Sequence, residues 1–436
     1  MRVRIKSTCL TLTLAAGVVV TTAGAAMATE GYFRHGYGAR HEAMGGAGVA
    51  DGRDSTTIAL NPAALWRAGN EFTMAVSGFM PFRSMEGSGA PGFTPSGKVE
   101  SGSEFFLVPN MSWSYRLAPG SIVDAVGFSV YGNGGMNTDF GGLARTTPPC
   151  PPGATGIFCG GRLGVNLQQA FISFAMAKRF GSVSVGVAPI VARQQFEAEG
   201  LGLFGVSGSV TDVSWGYGAR AGIEWQIAPG LRLGVAGNTR VYMEKFDKYA
   251  RLFAGQGDFD IPASLQAGIA FDVNPHLTLM ADYKRIWYGS VASIANPSAN
   301  AFIAPFGAGN GPGFGWRDID IFKVGLEWRA SRKLTLRAGY AYNTSPIRSA
   351  DVMLNILAPG VVQHHITGGF EYKLNRKLSL EAAVFYAPEA TVSGVELPPP
   401  FGNPAHRVQI AMDQLEVTVG IKYRWGAPEA AIEPLK

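Results

Sequence analysis

Apolar and polar residues alternate along most of the chain between residues 71 and 425. Because successive side chains of a β-strand point to opposite faces, this pattern predicts strands with one apolar and one polar face. The segment 415–425 is the clearest, since small, polar or charged residues separate the members of an apolar series: Leu415, Val417, Val419, Ile421, Tyr423 and Trp425.

The alternation predicts fourteen strands whose connections differ in length. Six tight turns, near 118–120, 181, 228–230, 274–275, 330–332 and 375–376, alternate with seven longer segments that are mostly rich in Gly and Pro. A barrel with an even number of strands and both termini in the periplasm has this arrangement. The predicted fold is therefore all-β, a 14-stranded antiparallel transmembrane β-barrel over residues 71–425. The predicted strands are 72–84, 104–117, 121–132, 164–180, 182–198, 212–227, 231–245, 260–272, 276–289, 318–329, 333–345, 362–374, 377–391 and 409–425.

The first 28 residues predict a cleaved signal peptide. Three basic residues, Arg2, Arg4 and Lys6, precede a short, largely apolar region, and Ala26–Ala28 fits a cleavage site. The rest of the chain has no uninterrupted apolar run long enough for a membrane helix. Any membrane crossing is therefore made by strands, which predicts the outer membrane of a Gram-negative bacterium.

Charge and cysteine content bear on the possible partners and on disulfide or metal sites. The formal charge is +5, and three positive charges belong to the signal peptide, so the mature chain carries +2. This near-neutral balance gives no indication of a nucleic-acid partner.

Cys150 and Cys159 lie in one Pro- and Gly-containing segment without a nearby histidine. In an oxidising compartment they predict a local disulfide, with two free thiols or a metal site as alternatives.

Residues 29–70 do not alternate as the strands do. They contain a run of small residues and continue to an Asn-Pro-Ala sequence, in which proline suits the first position of a short helix. Small residues allow close approach of backbones, so the segment is predicted to fold inside the barrel lumen as a plug. The residues assigned to this plug are Gly45, Gly46, Gly48, Asp51, Asp54, Ser55, Asn61, Pro62 and Ala63.

These residues also carry a family resemblance. The plug motif starts with Gly31-Tyr32-Phe33, and further similar elements are 109–115, 262–265 and 338–340 with Pro346. Over nearly the whole mature chain the sequence resembles the FadL-type outer-membrane transporters of long-chain fatty acids and other hydrophobic compounds. The resemblance implies an N-terminal hatch, here residues 29–70, and passive, hatch-gated diffusion without a cofactor.

The resemblance further implies sideways release of cargo into the bilayer through a gap at a kink in the third strand. The corresponding positions are Gly132, Asn133, Gly134, Gly135 and Asn137. Glycine within a strand often marks a bulge, which fits a kink at this place. The alternative interpretation is an ordinary start of a loop.

The last strand and the residues after it suggest further partners. Gly420, Tyr423 and Trp425 resemble the terminal signature that the barrel assembly machinery recognises, and outer-membrane lipid would surround the barrel. The final aromatic residue usually ends the chain in such proteins. Residues 426–436 follow it here and are interpreted as a short periplasmic tail.

Two other functions compete with the transport of fatty acids or other hydrophobic small molecules. A general diffusion porin would lack the plug, and a barrel hydrolase would need a nucleophile or metal motif. The chain contains neither a Gly-x-Ser-x-Gly elbow nor a His-Glu-x-x-His sequence, so an enzyme is not expected. Inward-facing charges on the strands are interpreted mainly as braces between wall and plug, and Arg240 is the candidate partner of a substrate carboxylate.

Overall fold

Fourteen principal strands form one closed antiparallel sheet in the described part of the chain. The structure is a computed structural model and describes residues 29–141, 152–202 and 209–426. Each strand pairs with its neighbours in chain order, and the first pairs with the last from Glu71↔Arg424 to Gly89↔His406. The predicted fold class is confirmed. The strands are β1 (Glu71–Gly89), β2 (Phe106–Arg116), β3 (Ala125–Phe140), β4 (Leu163–Phe180), β5 (Val183–Glu199), β6 (Asp212–Ala228), β7 (Leu231–Asn238), β8 (Ser264–Asn274), β9 (Leu277–Ile286), β10 (Ile319–Trp328), β11 (Leu334–Asn343), β12 (His364–Lys373), β13 (Leu378–Val395) and β14 (His406–Arg424).

The two faces of the sheet differ as the alternation predicted. In β14, Val419 is 58% exposed on the outer face, whereas Glu416, Thr418 and Lys422 are buried on the inner face. An outer-membrane barrel presents apolar residues to lipid and aromatic residues near both interfaces. Exposed aromatic side chains lie near the turn ends of six strands: Phe180, Trp225, Phe271, Trp328, Tyr372 and Tyr423.

The connections alternate between short turns and long loops, which defines a turn side and a loop side of the barrel. The turns contain two to eight residues, and the loops contain ten or more. Several predicted boundaries were wrong. The strand β3 continues to Phe140 because its pairing with β4 resumes after a bulge, and β7 ends at Asn238 where the chain leaves the wall. Two accessory strands extend the sheet, Gly97–Glu100 against β1 and Tyr242–Met243 against β6.

The helices are short and lie in the N-terminal segment or in the loops. No helix in the described ranges is long and apolar enough to cross a membrane. The α-helices are α1 (Gly38–Glu42), α2 (Ala254–Gly257) and α3 (Ala292–Ala295), and the 3-10 helices are Ser55–Ala59, Pro62–Arg67, Asp247–Tyr249, Tyr288–Ser290, Ser298–Phe302, Ser349–Asp351 and Leu354–Ile356.

Three sequence predictions fall wholly or partly outside the described residues. They are the signal peptide at 1–28, the disulfide, because Cys150 is not described, and residues 427–436 of the tail. Each stays a prediction.

Candidate functional site in the barrel lumen

Residues 29–70 lie inside the barrel and bond to strands on different sides of it. The Asp282 carboxylate on β9 accepts hydrogen bonds from the backbone N–H groups of Gly48 and Val49 at 2.8 and 2.9 Å. On β12, the Thr367 hydroxyl donates to the Ala43 carbonyl at 2.9 Å. Backbone groups of the segment are thus satisfied by the wall, which a buried irregular chain requires.

The residues that the sequence assigned to the plug are all buried in this segment. Two of them cap its 3-10 helices: Asp54 accepts a hydrogen bond from the Thr56 N–H at 2.8 Å, and Asn61 accepts one from the Ala63 N–H at 3.0 Å. Pro62 occupies the start of the second helix. These residues therefore define the local path of the chain through the lumen.

A charged layer fills the turn side of the lumen. The Arg337 guanidinium bonds to three carboxylates at 2.7 to 3.0 Å, those of Glu327, Glu371 and Glu381. Lys422 on β14 bonds to Asp54 of the N-terminal segment at 2.5 Å. All six side chains are buried. The wall and the N-terminal segment therefore share one ion-pair network.

The N-terminal segment supplies further cations to this network. Arg40 pairs with Asp51 at 2.5 Å and with Glu327 at 3.0 Å, and Arg53 pairs with Asp51 at 3.0 Å. Burial opposes ionisation of Asp51, but the guanidinium groups of Arg53, Arg40 and Arg232 outweigh it and lower its pKa. Sequence reasoning missed Arg40 and Arg53, although the inward-facing carboxylates on the strands implied that such partners exist.

An aromatic layer fills the loop side of the lumen. Tyr32 packs against Phe33, Phe259, Tyr288 and Trp316, with ring centroids 5.1 to 6.3 Å apart. All five side chains are buried and belong to one large apolar cluster. The lumen therefore changes from apolar on the loop side to charged on the turn side.

The glycine-rich stretch of β3 lies beside the aromatic layer, because it pairs with Tyr32–Arg34. The pairing of β3 with β4 shifts register between Gly132 and Gly134, which is a bulge. The segment Tyr32–Arg34 pairs with this bulge: the Arg34 N–H donates to the Asn133 carbonyl at 2.9 Å, and the Gly135 N–H donates to the Tyr32 carbonyl at 2.9 Å. The start of the N-terminal segment thus covers backbone groups that the bulge exposes.

Only glycine fits at the centre of this contact. A Cβ atom at Gly134 would lie 1.9 Å from the Tyr32 carbonyl oxygen. The Asn133 side chain donates to Gln169 at 3.1 Å, and the Asn137 carbonyl accepts from Arg83. The stretch is therefore part of a packed contact and not a free loop.

Arg240 lies elsewhere, in the loop that follows β7. Its guanidinium bonds to Asp260 at 2.6 Å and donates to the Ser290 carbonyl at 2.9 Å. Arg240 was the candidate partner of a substrate carboxylate, but its positive charge is already neutralised by Asp260.

Comparisons with known proteins agree with this geometry. Residues 207–397 match the family described as outer membrane protein transport protein (OMPP1/FadL/TodX). The fold is similar to the Pseudomonas putida toluene transporter TodX, at 17% identity and a TM-score of 0.66, covering 90% of this chain and 99% of TodX. A Pseudomonas aeruginosa FadL homologue gives 14% identity and a TM-score of 0.64, with coverage of 90% and 99%. No curated protein sequence matches the chain significantly.

The closed barrel with its filled lumen has the fold of these outer-membrane transporters. The resemblance predicted from the sequence is confirmed by the match of residues 207–397 to a family of outer-membrane transport proteins, and the closed barrel agrees with the predicted location.

Proposed function

We propose that the protein takes up long-chain fatty acids or other hydrophobic compounds by passive diffusion, with residues 29–70 as the hatch. The similar structures include a toluene transporter and a FadL homologue, which supports a hydrophobic cargo. An apolar layer on the loop side suits such cargo, since each buried methylene gains about 0.8 kcal/mol.

The observation that carries the proposal is the division of the lumen into two layers. Cargo that enters the aromatic layer meets a buried ion-pair network below it. Breaking a buried ion pair by removing one partner costs about 3–5 kcal/mol, so the straight path to the turn side is unfavourable for an apolar molecule.

The bulge in β3 offers the alternative exit. It lies beside the aromatic layer and is covered by Tyr32–Arg34 through two backbone hydrogen bonds. Withdrawal of this short stretch would uncover the wall at the level where apolar cargo stops. Cargo would then reach lipid without crossing water, where its apolar surface is least stable.

The test is uptake by cells that lack their own transporter, compared with the same cells carrying an empty vector. We expect uptake of labelled palmitate or toluene by cells that express the parent protein. A deletion of residues 29–65 that remains heat-modifiable should raise the permeability of the barrel to small sugars, because it removes the plug. Absence of uptake of both compounds would overturn the function, and unchanged permeability after the deletion would favour a general porin.

A further inference from the structure

We propose that two neighbouring turns of the barrel bind the headgroups of anionic phospholipids in the periplasmic leaflet of the membrane. The turns repeat one sequence motif: an aromatic residue, a basic residue, two further residues and then Arg-Lys-Leu. Residues 328–334 read Trp-Arg-Ala-Ser-Arg-Lys-Leu, and residues 372–378 read Tyr-Lys-Leu-Asn-Arg-Lys-Leu. The first segment connects β10 to β11, and the second connects β12 to β13. The two segments together are called the basic rim.

Both turns present their Arg-Lys pair through the same local geometry. Ser331 Oγ accepts hydrogen bonds from the backbone N–H groups two and three residues later, at 3.2 and 3.0 Å. Asn375 Oδ1 accepts hydrogen bonds from the N–H groups at the same two positions, at 2.8 and 3.0 Å. The turns are also neighbours, because the Lys373 N–H donates to the Lys333 carbonyl at 2.8 Å. The cations of both turns therefore lie in one sector of the turn side.

A third turn shows that this geometry does not need the cations. In the turn between β8 and β9, Asn274 Oδ1 accepts hydrogen bonds from the N–H groups two and three residues later, at 2.8 and 3.0 Å. Pro275 and His276 occupy the positions that hold Arg and Lys in the basic rim. A short polar side chain bonded to its own backbone is enough to form such a turn. The Arg-Lys pairs are therefore available for another role.

The cations of the basic rim lack counter-charges. Five of them are exposed: Arg332, Lys333, Lys373, Arg376 and Lys377. Neither segment of the basic rim contains Asp or Glu. Within the described ranges these five side chains form no ion pair, whereas Glu327 and Glu371 on the adjoining strands are buried and pair with Arg337. Exposed positive charges that are clustered in this way attract anionic lipid headgroups.

Aromatic residues place the basic rim at the level of these headgroups. Each segment begins with an outward-facing aromatic side chain, and the exposed fractions are 48% for Trp328 and 39% for Tyr372. Such rings lie at the interface between membrane and water in outer-membrane barrels. The cations that follow within a few residues are therefore close to the phosphate groups. This depth favours lipid over a soluble acidic protein as the partner.

A groove beside the first turn suits the acyl chain of such a lipid. The groove has a volume of about 600 Å³, and Leu277, Leu326 and Trp328 form its apolar part. Arg329 lines its end at the turn but already donates to the Pro275 carbonyl at 2.6 Å. The exposed cations of the basic rim are thus the groups left to hold the phosphate. An acyl chain in the groove would lie against apolar side chains, which is favourable.

The test is the lipid selectivity of the full mature protein in phosphatidylcholine vesicles, measured by electron spin resonance of spin-labelled lipids. We expect the parent to associate with anionic phosphatidylglycerol about threefold or more in preference to phosphatidylcholine. Added salt should reduce this preference, because it screens exposed charges. Arg332→Gln combined with Arg376→Gln should remove most of the preference. Arg251→Gln combined with Arg407→Gln changes two exposed arginines on the loop side and is the matched control, which should retain it.

Each outcome decides the proposal. Equal association of both lipids with the parent would overturn it and favour an acidic periplasmic protein as the partner of the basic rim. An unchanged preference in heat-modifiable protein with both rim substitutions would also overturn it, as would an equal loss in the loop-side control. Lys333→Gln combined with Lys377→Gln supplies a second variant if the first fails to fold. The measurement contains no cargo, so its result does not depend on the proposed function.

Discussion

Asn61 shows how one side chain ties the N-terminal segment to the wall. Its amide donates to the Val49 carbonyl at 2.8 Å and to the Ile223 carbonyl on β6 at 3.1 Å, and its oxygen caps the Ala63 N–H. The side chain therefore joins two parts of the segment and one strand.

Asn61→Ala should loosen this attachment by about 1–3 kcal/mol, because it leaves buried backbone groups unpaired. We expect greater leak of small sugars in a liposome-swelling assay, with the barrel still folded. Asn310→Ala, in an exposed loop, is the control and should leave the leak unchanged. If folded Asn61→Ala protein leaks sugars no faster than the parent, this contact has no gating role.

Glu42 makes the docking of the segment depend on pH. Burial and the neighbouring Glu416 raise the pKa of Glu42 to about 7, although Arg34 opposes the shift. The pKa of Glu42 is thus about 7 in the docked segment, and we take the ordinary value of 4.5 for the free segment. Between pH 4.5 and pH 7, docked Glu42 therefore keeps a proton that free Glu42 has lost. The contribution of Glu42 to docking is therefore present below about pH 4.5 and lost as pH rises through about 7.

We expect faster amide exchange in residues 29–70 at about pH 8 than at about pH 5, after correction for the intrinsic rates. The effect should be on the order of 1–3 kcal/mol. Glu42→Gln cannot ionise and should lose most of this pH dependence. A Gln variant with the same dependence as the parent would assign the effect to another group.

Among the elements, the bulge of β3 and the stretch Tyr32–Arg34 act as one contact. A side chain at Gly134 would collide with the Tyr32 carbonyl. Its replacement would therefore displace the N-terminal stretch.

Gly134→Val should thus expose the amides of Tyr32–Arg34 and raise laurate uptake by uncovering the wall. Hydrogen exchange followed by mass spectrometry would measure the first effect, and cellular uptake the second. At Gly141 a Cβ atom would meet no atom of the described residues within 4 Å, so Gly141→Val is the matched control. If folded Gly134→Val protein exchanges its amides and takes up laurate as the parent does, then Tyr32–Arg34 does not close the wall at the bulge.

For the molecule as a whole, closure of the sheet removes free strand edges. The β1–β14 pairing satisfies backbone groups that lipid cannot. We expect boiled and unboiled samples to migrate differently on a denaturing gel, and the protein to fractionate with the outer membrane. Identical migration together with inner-membrane sedimentation would contradict the architecture.

The number of strands and their order follow from the sequence. Side chains that alternate between lipid and lumen leave a period of two, as in 415–425, and short turns differ in composition from long loops. The sequence also marked Asp54, Asn61 and Pro62, whose capping roles depend on neighbours within a few residues. Such local signals do not require knowledge of distant contacts.

Which distant groups meet became visible only in the folded barrel. Tyr32 and Gly135 are joined by a backbone hydrogen bond, which leaves no mark on the side-chain pattern. The charge of Arg240 is neutralised by Asp260, whereas Arg220 meets Asn238 and no carboxylate partner in the described ranges. Both arginines look alike in the sequence, because their difference arises from the side chains that the closed barrel brings beside them.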